Sequence, residues 1–497
     1  MSDALITQTP KSLTASATAD IKYDATIELE PKTVTVFTDA DFDKHTQTFD
    51  FTTASDATAS VTVDDSSIAT ASVSGNTVTV TGGSTTGSTM GRILLPSTSN
   101  YNSVAMPFVI KNINSLYGQF GIKIDKNNSD PATRVSYLYE AEGMEPAHMD
   151  FSNDVFDYGD WKDAWFVRFN RPCMLDTYGA VKYYLNPDNY SYDEDGNVQN
   201  DYNNTSSSYN AMAEMPLVWI YRYEDSGYEY EIISPTQIDS NYKAYAHTNA
   251  SGQIKDAFYY GMYGGSGSSS RIRSLSGQAR LFSLTAAQEI AGCQANGSSY
   301  GWYTQTWSQH EYIRTLLCLM GKSTHTQAVF GNGRTYSGAQ TGIWNNKGAF
   351  YGVTTTDKNS PVKVFHIEDF WGGAWNRIAG VISNSNYNIY VKMTPEGSGY
   401  QTTSTTGYTL ARSDTGNASG YINNMQCNEY GMIPAFSKGV SGSSSTYYCD
   451  YTYLNKSCYL HVGNYLGGDN AGGFCFNLGS TPTYTCTNYG CGLSCIP

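Results

Sequence analysis

Short runs of alternating apolar and polar residues dominate the N-terminal part of the chain. The clearest runs begin at Thr33 (TVTVF), Phe49 (FDFTT), Ala59 (ASVTVDD) and Ile68 (IATASVSGNTVTVTGG). A period of two is typical of strands with one buried face, and Gly75-Asn76 is a turn signal between two runs. The pattern predicts a small antiparallel β-sandwich over residues 21–112. Residues 1–20 show no sustained period, and we predict that they form an attachment arm.

Two stretches in the centre of the chain have helical features. Thr285 and Gln288 have the spacing of a capping box, and so do Thr306 and Gln309. After the second box, four apolar residues share one predicted buried face, and they are Ile313, Leu316, Leu317 and Met320. We expect Gly321 to end this helix, because glycine is favoured just past a helix C-terminus. The remaining pattern after residue 215 is typical of short strands and loops.

The fold class that follows is mainly β, with a sandwich followed by a loop-rich α+β head that contains two helices. Residues 113–210 are irregular and rich in Asp, Asn and Tyr, so we predict a connecting domain there. The head is then expected to span residues 211–497. Asp193–Asn197 has the start of a calcium-binding loop but lacks its distal Glu, so a solvated acidic turn is expected instead.

Residues 441–497 have the composition of a binding surface. Eight tyrosines lie among many Ser, Gly, Asn and Thr residues, and only Asp450, Lys456 and Asp469 carry a full charge. Tyrosine provides stiff amphipathic contact area, while the small polar residues provide adaptable hydrogen bonding. The alternation over residues 474–478 (FCFNL) has the period of a half-buried strand, which argues against a disordered tail.

Composition and charge exclude several functional classes. The 497 residues are enough for about three domains of ordinary size, and 40% hydrophobic content is enough for real cores. A net charge of −15 repels phosphate backbones and anionic lipids, so we expect neither a nucleic-acid partner nor membrane insertion. The N-terminus lacks the pattern of an export signal, and no window has the length and apolar character of a membrane span.

Neither the cysteines nor the short sequences that resemble catalytic motifs predict an active site. Seven of the ten cysteines occur from Cys427 onwards, none in C-x-x-C spacing, so neither a metal nor another cofactor is expected. Free thiols are expected in a reducing cytosol, and bridges could form later outside the cell. The GKS sequence at 321–323 lacks the first glycine of a phosphate-binding loop. His310-Glu311 resembles the start of a zinc-protease motif, but Arg314 replaces the second histidine.

Two motifs in the predicted sandwich resemble a known domain type. The segments Ser66–Thr70 (SSIAT) and Gly75–Thr79 (GNTVT) resemble bacterial Ig-like domains, which serve as spacers on surface and phage proteins. The resemblance covers only this first domain and implies no chemistry.

Three later stretches resemble one family of phage and prophage virion adhesins. They are Met212–Ile220 (MAEMPLVWI), Phe365–Asn376 (FHIEDFWGGAWN) and Gly463–Pro497. The second is similar to the tryptophan motif of the formylglycine-generating-enzyme branch of the C-type lectin fold. The third resembles the variable region of proteins diversified by retroelements, on the matching positions Ala471, Gly472, Phe474, Leu478, Gly490, Leu493 and Ser494.

This resemblance implies a receptor-binding site on the C-terminal region, 441–497. The implied contacts are Tyr451, Tyr453, Asn464, Tyr465, Asp469, Asn470, Cys475, Asn477, Tyr484, Asn488 and Tyr489. Trp371 and Trp375 would form the buried scaffold beneath them. Gly492 departs from the family, whose members often carry arginine before the terminal Leu-Ser.

The resemblance also implies a function without catalysis. The protein is expected to be a tail or head fibre, or adhesin, of a bacteriophage, made in the host cytoplasm and placed on the virion surface. It would bind a glycan or protein receptor on the host bacterium, contact other virion proteins through its arm, and form a homotrimer. Two alternatives are an oxidase of the formylglycine-generating type, which needs a reactive cysteine pair in a cleft, and a capsid decoration protein that binds glycans weakly.

Overall fold

The computed structural model describes residues 22–29, 33–38, 45–113, 118–335, 338, 340–354, 359–397, 399–414, 416–436, 439–463 and 471–497. The chain divides into two compact units, Met1–Leu116 and Tyr117–Pro497. The described residues are mainly β, with several sheets and few helices, as the alternating runs predict. The predicted arm, 1–20, lies outside the described residues.

The first unit is a sandwich of two four-stranded sheets. Its strands are β1 (Ile27–Leu29), β2 (Thr33–Phe37), β3 (Thr46–Thr53), β4 (Ser60–Val63), β5 (Ala69–Ser74), β6 (Thr77–Gly82), β7 (Gly87–Leu95) and β8 (Val104–Ile113). The sheet orders are β1-β3-β6-β5 and β2-β8-β7-β4. All pairs are antiparallel except β2 with β8, so the prediction of an antiparallel sandwich holds for every other pair.

Apolar residues at every second position fill the space between these sheets. Phe49 of β3 packs edge-on against Phe108 of β8, with ring centroids 5.2 Å apart. The predicted turn at Gly75-Asn76 joins β5 to β6, and Gly75 has a left-handed φ of +59°. Glycine adopts this conformation without the steric cost that a side chain would bring. The period of two in the sequence therefore positions both the core and the turn.

The second unit contains many short strands. They are β9 (Phe120–Asp125), β10 (Val135–Tyr139), β11 (His148–Asp150), β12 (Val155–Asp157), β13 (Arg171–Leu175), β14 (Val181–Tyr184), β15 (Asn210–Pro216), β16 (Trp219–Asp225), β17 (Tyr228–Ser234), β18 (Ala257–Gly264), β19 (Ser266–Ser268), β20 (Arg271–Arg273), β21 (Trp302–Thr304), β22 (Lys363–Val364), β23 (Ile367–Glu368), β24 (Trp375–Ser383), β25 (Ile389–Val391), β26 (Thr409–Arg412), β27 (Ala418–Tyr421), β28 (Met425–Asn428), β29 (Gly431–Pro434), β30 (Tyr451–Leu454), β31 (Tyr459–Val462), β32 (Phe476–Leu478), β33 (Tyr489–Gly490) and β34 (Gly492–Cys495).

Three larger sheets organise these strands. The first has the order β10-β9-β17-β16, and the second has the order β14-β13-β15-β18-β34-β21. The third runs β26-β25-β24-β31-β32-β30-β27, with β33 added beside β24. The pairs β11-β12, β19-β20, β22-β23 and β28-β29 are separate hairpins.

The prediction of a separate connecting domain over 113–210 is corrected by this pairing. β9 pairs with β17, and β13 pairs with β15, so the segment shares sheets with the head. Both belong to one compact unit, Tyr117–Pro497. The partner strands are far apart in the sequence, and such long-range pairing leaves no local signal in composition.

Among the described residues, the helices are α1 (Trp165–Arg168), α2 (Ala286–Gln294), α3 (Trp307–Gly321) and α4 (Thr326–Phe330), with short 3-10 turns at Tyr245–His247 and Ser298–Tyr300. The predicted capping box of α2 is present: the Gln288 N–H donates to Thr285 Oγ1 at 3.3 Å, and the Thr285 N–H donates to Gln288 Oε1 at 2.9 Å. The Thr306 N–H donates to Gln309 Oε1 at 3.1 Å at the start of α3. None of the described helices is long and apolar enough to cross a bilayer.

The central helix, α3, differs from its prediction in two ways. All of its residues are buried, not only one apolar face. Gly321 is the last helical residue, and Lys322 takes the left-handed cap position with φ +48°. A Cβ on Gly321 would lie 2.8 Å from Val329 Cγ1, so glycine is needed here for close packing of α3 against α4.

Complete burial of α3 requires partners for its charged residues. Arg314 Nε donates to Glu311 Oε1 at 2.7 Å, and its Nη1 donates to Glu231 Oε2 of β17 at 2.8 Å. Arg222 of β16 donates to the same Glu231 at 2.8 Å. Burial alone would raise the pKa of Glu231, but the two guanidinium groups outweigh it and lower the pKa to about 2. A buried ionic network thus joins α3 to the first sheet.

Candidate functional site

The third sheet has one face in the core and another that is open over part of its width. Along β30, Thr452 and Leu454 are buried while Tyr451 and Tyr453 are not. The same alternation in β32 leaves Asn477 half-buried between two buried residues. Because β30 and β32 pair in parallel with Tyr453 opposite Asn477, these side chains project from the same side of the sheet.

Strand β27 extends this open face. It pairs with β30 so that Tyr421 lies opposite Tyr451 and Ser419 lies opposite Tyr453. The rings of Tyr421 and Tyr451 meet edge-to-face, with centroids 5.3 Å apart and an interplanar angle of 83°. Such cross-strand aromatic pairs stabilise a sheet and fix the position of both rings.

The loop between β32 and β33 continues the surface. A Cβ on Gly479 would lie 3.0 Å from the ring of Tyr453, so this ring lies directly over the start of the loop. Farther along, the Tyr484 and Tyr489 rings meet at 5.4 Å, and Ser480 Oγ lies 3.1 Å from the Tyr489 hydroxyl. We name the resulting surface the tyrosine face, and its members are Ser419, Tyr421, Tyr451, Tyr453, Asn477, Tyr484 and Tyr489.

A buried layer supports the loop part of the tyrosine face. His461 of β31 lies opposite Asn477 and is covered by the ring of Tyr489, at a centroid distance of 4.6 Å. Burial, together with the nearby Arg377 guanidinium, lowers the pKa of His461 well below its usual value, so the imidazole is neutral. The neutral imidazole of His461 therefore supports the Tyr489 ring by packing against it, without a charge.

Arg377 of β24 anchors the same loop. Its Nη1 donates to the Leu284 carbonyl and to Glu289 Oε1 of α2, both at 2.7 Å. Its Nη2 donates to the Tyr484 carbonyl, and the guanidinium lies 5.4 Å from the centre of the Tyr489 ring. One buried cation therefore fixes the backbone at Tyr484 and supports the ring of Tyr489.

The segment just before β32 is held by side-chain oxygens. Four consecutive backbone N–H groups each donate to one: Ala471 to Gln327 Oε1 (3.2 Å), Gly472 to Asp450 Oδ1 (2.6 Å), Gly473 to Thr326 Oγ1 (2.9 Å) and Phe474 to Asp450 Oδ2 (2.8 Å). These acceptors come from α4 and from the residue before β30. These hydrogen bonds fix the backbone that leads into β32 to α4 and to Asp450.

Most of the described residues predicted as receptor contacts lie on this surface. Tyr451 and Tyr484 are 37% and 47% exposed, and Tyr453, Asn477 and Tyr489 are half-buried. The structure brings these five together on one side of the molecule. The predicted contacts Asn464, Tyr465, Asp469 and Asn470 lie outside the described residues.

Two predicted contacts are corrected by the structure. Cys475 is 3% exposed, and its thiol points to the Gly463 carbonyl at 3.9 Å. Asn488 is 8% exposed, and its carbonyl accepts the Trp375 N–H at 2.9 Å. Residue type alone does not decide these positions, because cysteine is often buried while asparagine, which is mostly exposed in proteins, is buried here.

Ser419 and Tyr421 belong to the tyrosine face but are missed by the sequence analysis. They lie before the C-terminal region and reach the face only through the pairing of β27 with β30. The scaffold prediction holds for Trp371, which is 1% exposed and donates from Nε1 to the Gly331 carbonyl at 3.1 Å. Trp375 is only half-buried and packs near Tyr489, at a centroid distance of 6.3 Å.

The look-alike motifs have structural roles. His310 stacks between Trp307 and Phe370, with centroid distances of 5.9 Å and 4.9 Å. Burial and the neighbouring Arg314 lower its pKa to about 3. In the part of the chain that the structure describes, His, Cys, Asp and Glu side chains form no cluster of three suited to a metal. Asp193 accepts hydrogen bonds from Asn197 at 2.7 Å within its turn.

No family model matches the chain, and no curated protein matches it. The family resemblance therefore stays a prediction. Two of the stretches that carry it are adjacent in the fold, because Trp375 and Asn376 of β24 pair with Tyr489 and Gly490 of β33.

Proposed function

We propose that the protein is a bacteriophage virion adhesin that binds a receptor on the host-cell surface through the tyrosine face. The observation that supports this most directly is the row of tyrosines on the open side of the third sheet. Tyr421, Tyr451 and Tyr453 occupy adjacent strands, and Tyr484 and Tyr489 extend the row onto the following loop.

The chemistry of the face suits recognition of a glycan or a protein. None of its seven members carries a formal charge at neutral pH, so contact would rest on ring stacking and hydroxyl or amide hydrogen bonds. The rings are held by cross-strand pairing and by Arg377, which lowers the entropy lost when a receptor binds. A preorganised aromatic patch can therefore bind without rearranging.

The same proposal gives roles to the N-terminal segment and to the sandwich. Residues 1–20 attach to other virion proteins, and the sandwich acts as a spacer. A homotrimer on the virion surface would present several tyrosine faces at once. Many copies per particle raise the effective affinity, so a modest affinity at each face is sufficient.

The proposal is tested with fluorescently labelled full-length protein and intact bacterial cells, read by flow cytometry on isolates that bind the wild type. The variant combines Tyr451→Ala, Tyr453→Ala and Tyr484→Ala. We expect a loss of binding of roughly tenfold or more, because exposed aromatic residues carry most of the energy in such interfaces. Binding equal to that of the wild type contradicts the assignment of the face.

A matched control is available in the same unit. Tyr178 and Tyr300 are 63% and 44% exposed, their rings meet at 5.0 Å, and they lie just before β14 and β21 of the second sheet. Replacing both with alanine removes a similar aromatic pair, and binding is expected to stay unchanged. Competition by purified surface polysaccharide of the same isolate separates a glycan receptor from a protein receptor.

The proposed role is non-catalytic. The oxidase alternative needs a reactive cysteine pair in an open cleft, whereas the closest thiols, Cys293 and Cys491, are both buried. Copper-dependent turnover of a cysteine-containing peptide by the purified protein would contradict the proposal and favour that alternative.

A further inference from the structure

Two cysteines that are distant in the sequence meet in the core between α2 and the second sheet. Cys293 Sγ of α2 lies 3.9 Å from Cys491 Sγ, which sits between β33 and β34. Both side chains are buried in an apolar cluster with Trp302 and Leu493. A disulfide needs sulfur atoms about 2 Å apart, so the two thiols must approach each other by roughly a further 2 Å.

The surrounding backbone favours this pair. The Gly265 N–H donates to the Cys491 carbonyl at 2.8 Å, which fixes the position of this residue beside β18. Glycines precede and follow Cys491, so its two sequence neighbours add no side chain beside the thiol. Cys293 lies near the end of α2, two residues before the C-cap residue Ala295.

Other buried thiols point elsewhere. The Cys495 thiol donates to the Tyr300 carbonyl at 3.2 Å, although it lies in the same apolar cluster. The Cys458 thiol donates to the Lys456 carbonyl at 3.2 Å. Proximity thus selects Cys293 and Cys491 from the ten cysteines of the chain.

We propose that Cys293 and Cys491 form an intramolecular disulfide when the chain folds in the presence of a low-molecular-weight disulfide such as oxidised glutathione. The thiolate of one cysteine attacks the glutathione disulfide and forms a mixed disulfide, and one glutathione thiolate leaves. The second cysteine loses its proton and attacks the protein sulfur of the mixed disulfide, which displaces the second glutathione. The protein loses two S–H bonds and gains one S–S bond, while the reagent takes up both electrons and both protons as two thiols.

The timing of this reaction follows from burial. The adjacent Cys293 thiol and burial raise the pKa of Cys491 well above its ordinary value, so little thiolate is present once the core has closed. The bridge is therefore formed during folding or on transient opening. Once it has folded, the reduced protein should react only slowly with oxidised glutathione.

The bridge would fasten α2 to the C-terminal strand and to the loop of the tyrosine face. The loop already contacts the start of α2: the Ala286 N–H donates to the Pro482 carbonyl at 2.8 Å, and the Ser283 N–H donates to the Cys486 carbonyl at 3.1 Å. The disulfide joins residues 198 positions apart, and closing so long a loop restricts the unfolded chain strongly. The inference does not depend on the proposed receptor.

The test compares full-length protein synthesised without cells in reduced glutathione with protein synthesised in a mixture of oxidised and reduced glutathione. Each sample is denatured without reductant, alkylated and analysed by peptide mass spectrometry. The reduced sample is expected to show all ten thiols alkylated, and the oxidised sample two fewer, with one cross-linked peptide pair containing Cys293 and Cys491. The melting temperature of the oxidised protein should be higher by roughly 5 °C.

Cysteine-to-serine variants show which two residues form the disulfide. Cys293→Ser and Cys491→Ser should each abolish the cross-link and the thermal shift, whereas Cys173→Ser, in the same apolar cluster, should retain both. The thiol count of the wild type decides the question even where a variant folds poorly. Ten alkylated thiols in the oxidised sample, or a cross-link between other cysteines, overturns the proposal.

Discussion

The carboxylate of Asp450 accepts a hydrogen bond from the backbone N–H of Gly472 at 2.6 Å. Its other oxygen accepts the N–H of Phe474 at 2.8 Å, so one side chain holds two backbone groups at the entry to β32. Asp450 itself directly precedes β30. This carboxylate consequently joins the two parallel strands that carry the centre of the tyrosine face.

Removal of this carboxylate is expected to destabilise the second unit. Asp450→Ala leaves two buried N–H groups without acceptors, and each costs about 1–3 kcal/mol. The free energy of unfolding should fall by roughly 3 kcal/mol in urea denaturation of the full chain. Asp195→Ala, at an exposed position, is the control and should change it by less than about 0.5 kcal/mol. Equal effects of the two substitutions contradict the anchoring role.

Gly472 should not tolerate a side chain. A Cβ there would lie 2.5 Å from Thr326 Oγ1 and 3.1 Å from the Asp450 carboxylate oxygens. Gly472→Ala is expected to lower the free energy of unfolding by about 1–3 kcal/mol, because the crowded anchor must shift. The melting temperature is a suitable measurement.

Gly416→Ala is the matched control, since a Cβ at Gly416 meets no atom within 4 Å. Its melting temperature should equal that of the wild type or exceed it slightly. A decrease for Gly416→Ala as large as that for Gly472→Ala would show that loss of glycine, not crowding, is responsible.

The features that the sequence predicts correctly are encoded by local patterns. Alternation identifies the sandwich strands, and residue spacing identifies the caps at Thr285 and Thr306. Each signal spans only a few neighbouring residues. Local periodicity therefore predicts the class of fold, whereas Tyr451 and Tyr453 are predicted from the composition of the C-terminal region and the family resemblance.

The features that the sequence misses depend on distant pairing. Tyr421 joins the face only because β27 lies beside β30, whereas Cys475, just before β32, is buried with its thiol toward the Gly463 carbonyl. Arg314 looks like a broken metal motif, yet it forms ion pairs with Glu311 and Glu231. None of these outcomes follows from residue types within a short window.

Arg314 is expected to be the most sensitive position of the buried network. Arg314→Met would leave the carboxylates of Glu231 and Glu311 without their main cation in a buried site. Such a change typically costs 3–5 kcal/mol, so we expect a loss of about 4 kcal/mol in the free energy of unfolding.

Lys347→Met provides the comparison, because the Lys347–Asp154 pair at 2.9 Å is partly exposed. Exposed pairs contribute about 0–1 kcal/mol, and this variant should unfold nearly as the wild type does. If Arg314→Met were equally mild, the network would have no role in stability.

Stability should also depend on pH through three buried carboxyl groups. Burial raises the pKa of Glu229, Glu289 and Asp450 to about 7 in each case, although hydrogen bonds and nearby guanidinium groups oppose the shift. In the unfolded chain such groups titrate near pH 4. Between about pH 4 and pH 7 the folded state therefore holds protons that the unfolded state has released.

The sign of the effect follows directly. The contribution of these three groups to stability is complete below about pH 4 and is lost as the pH rises toward 7. Glu231, with a pKa lowered to about 2, acts in the opposite direction, and its contribution is lost only as the pH falls below about 4.5. We expect the melting temperature to be highest near pH 4 and to fall between pH 5 and pH 7.5.

Calorimetry of the full chain across this range checks the prediction, with Asp450→Asn as the diagnostic variant. Asparagine keeps the size of the side chain but cannot take up a proton. The variant therefore lacks the stability that protonation of Asp450 gives the folded wild type at pH 5, and it should be less stable there. Its melting temperature should also fall less steeply toward pH 7.5. A wild-type melting temperature that rises from pH 5 to pH 7.5, or an identical slope in the variant, would mean that Asp450 is already ionised in the folded protein at pH 5.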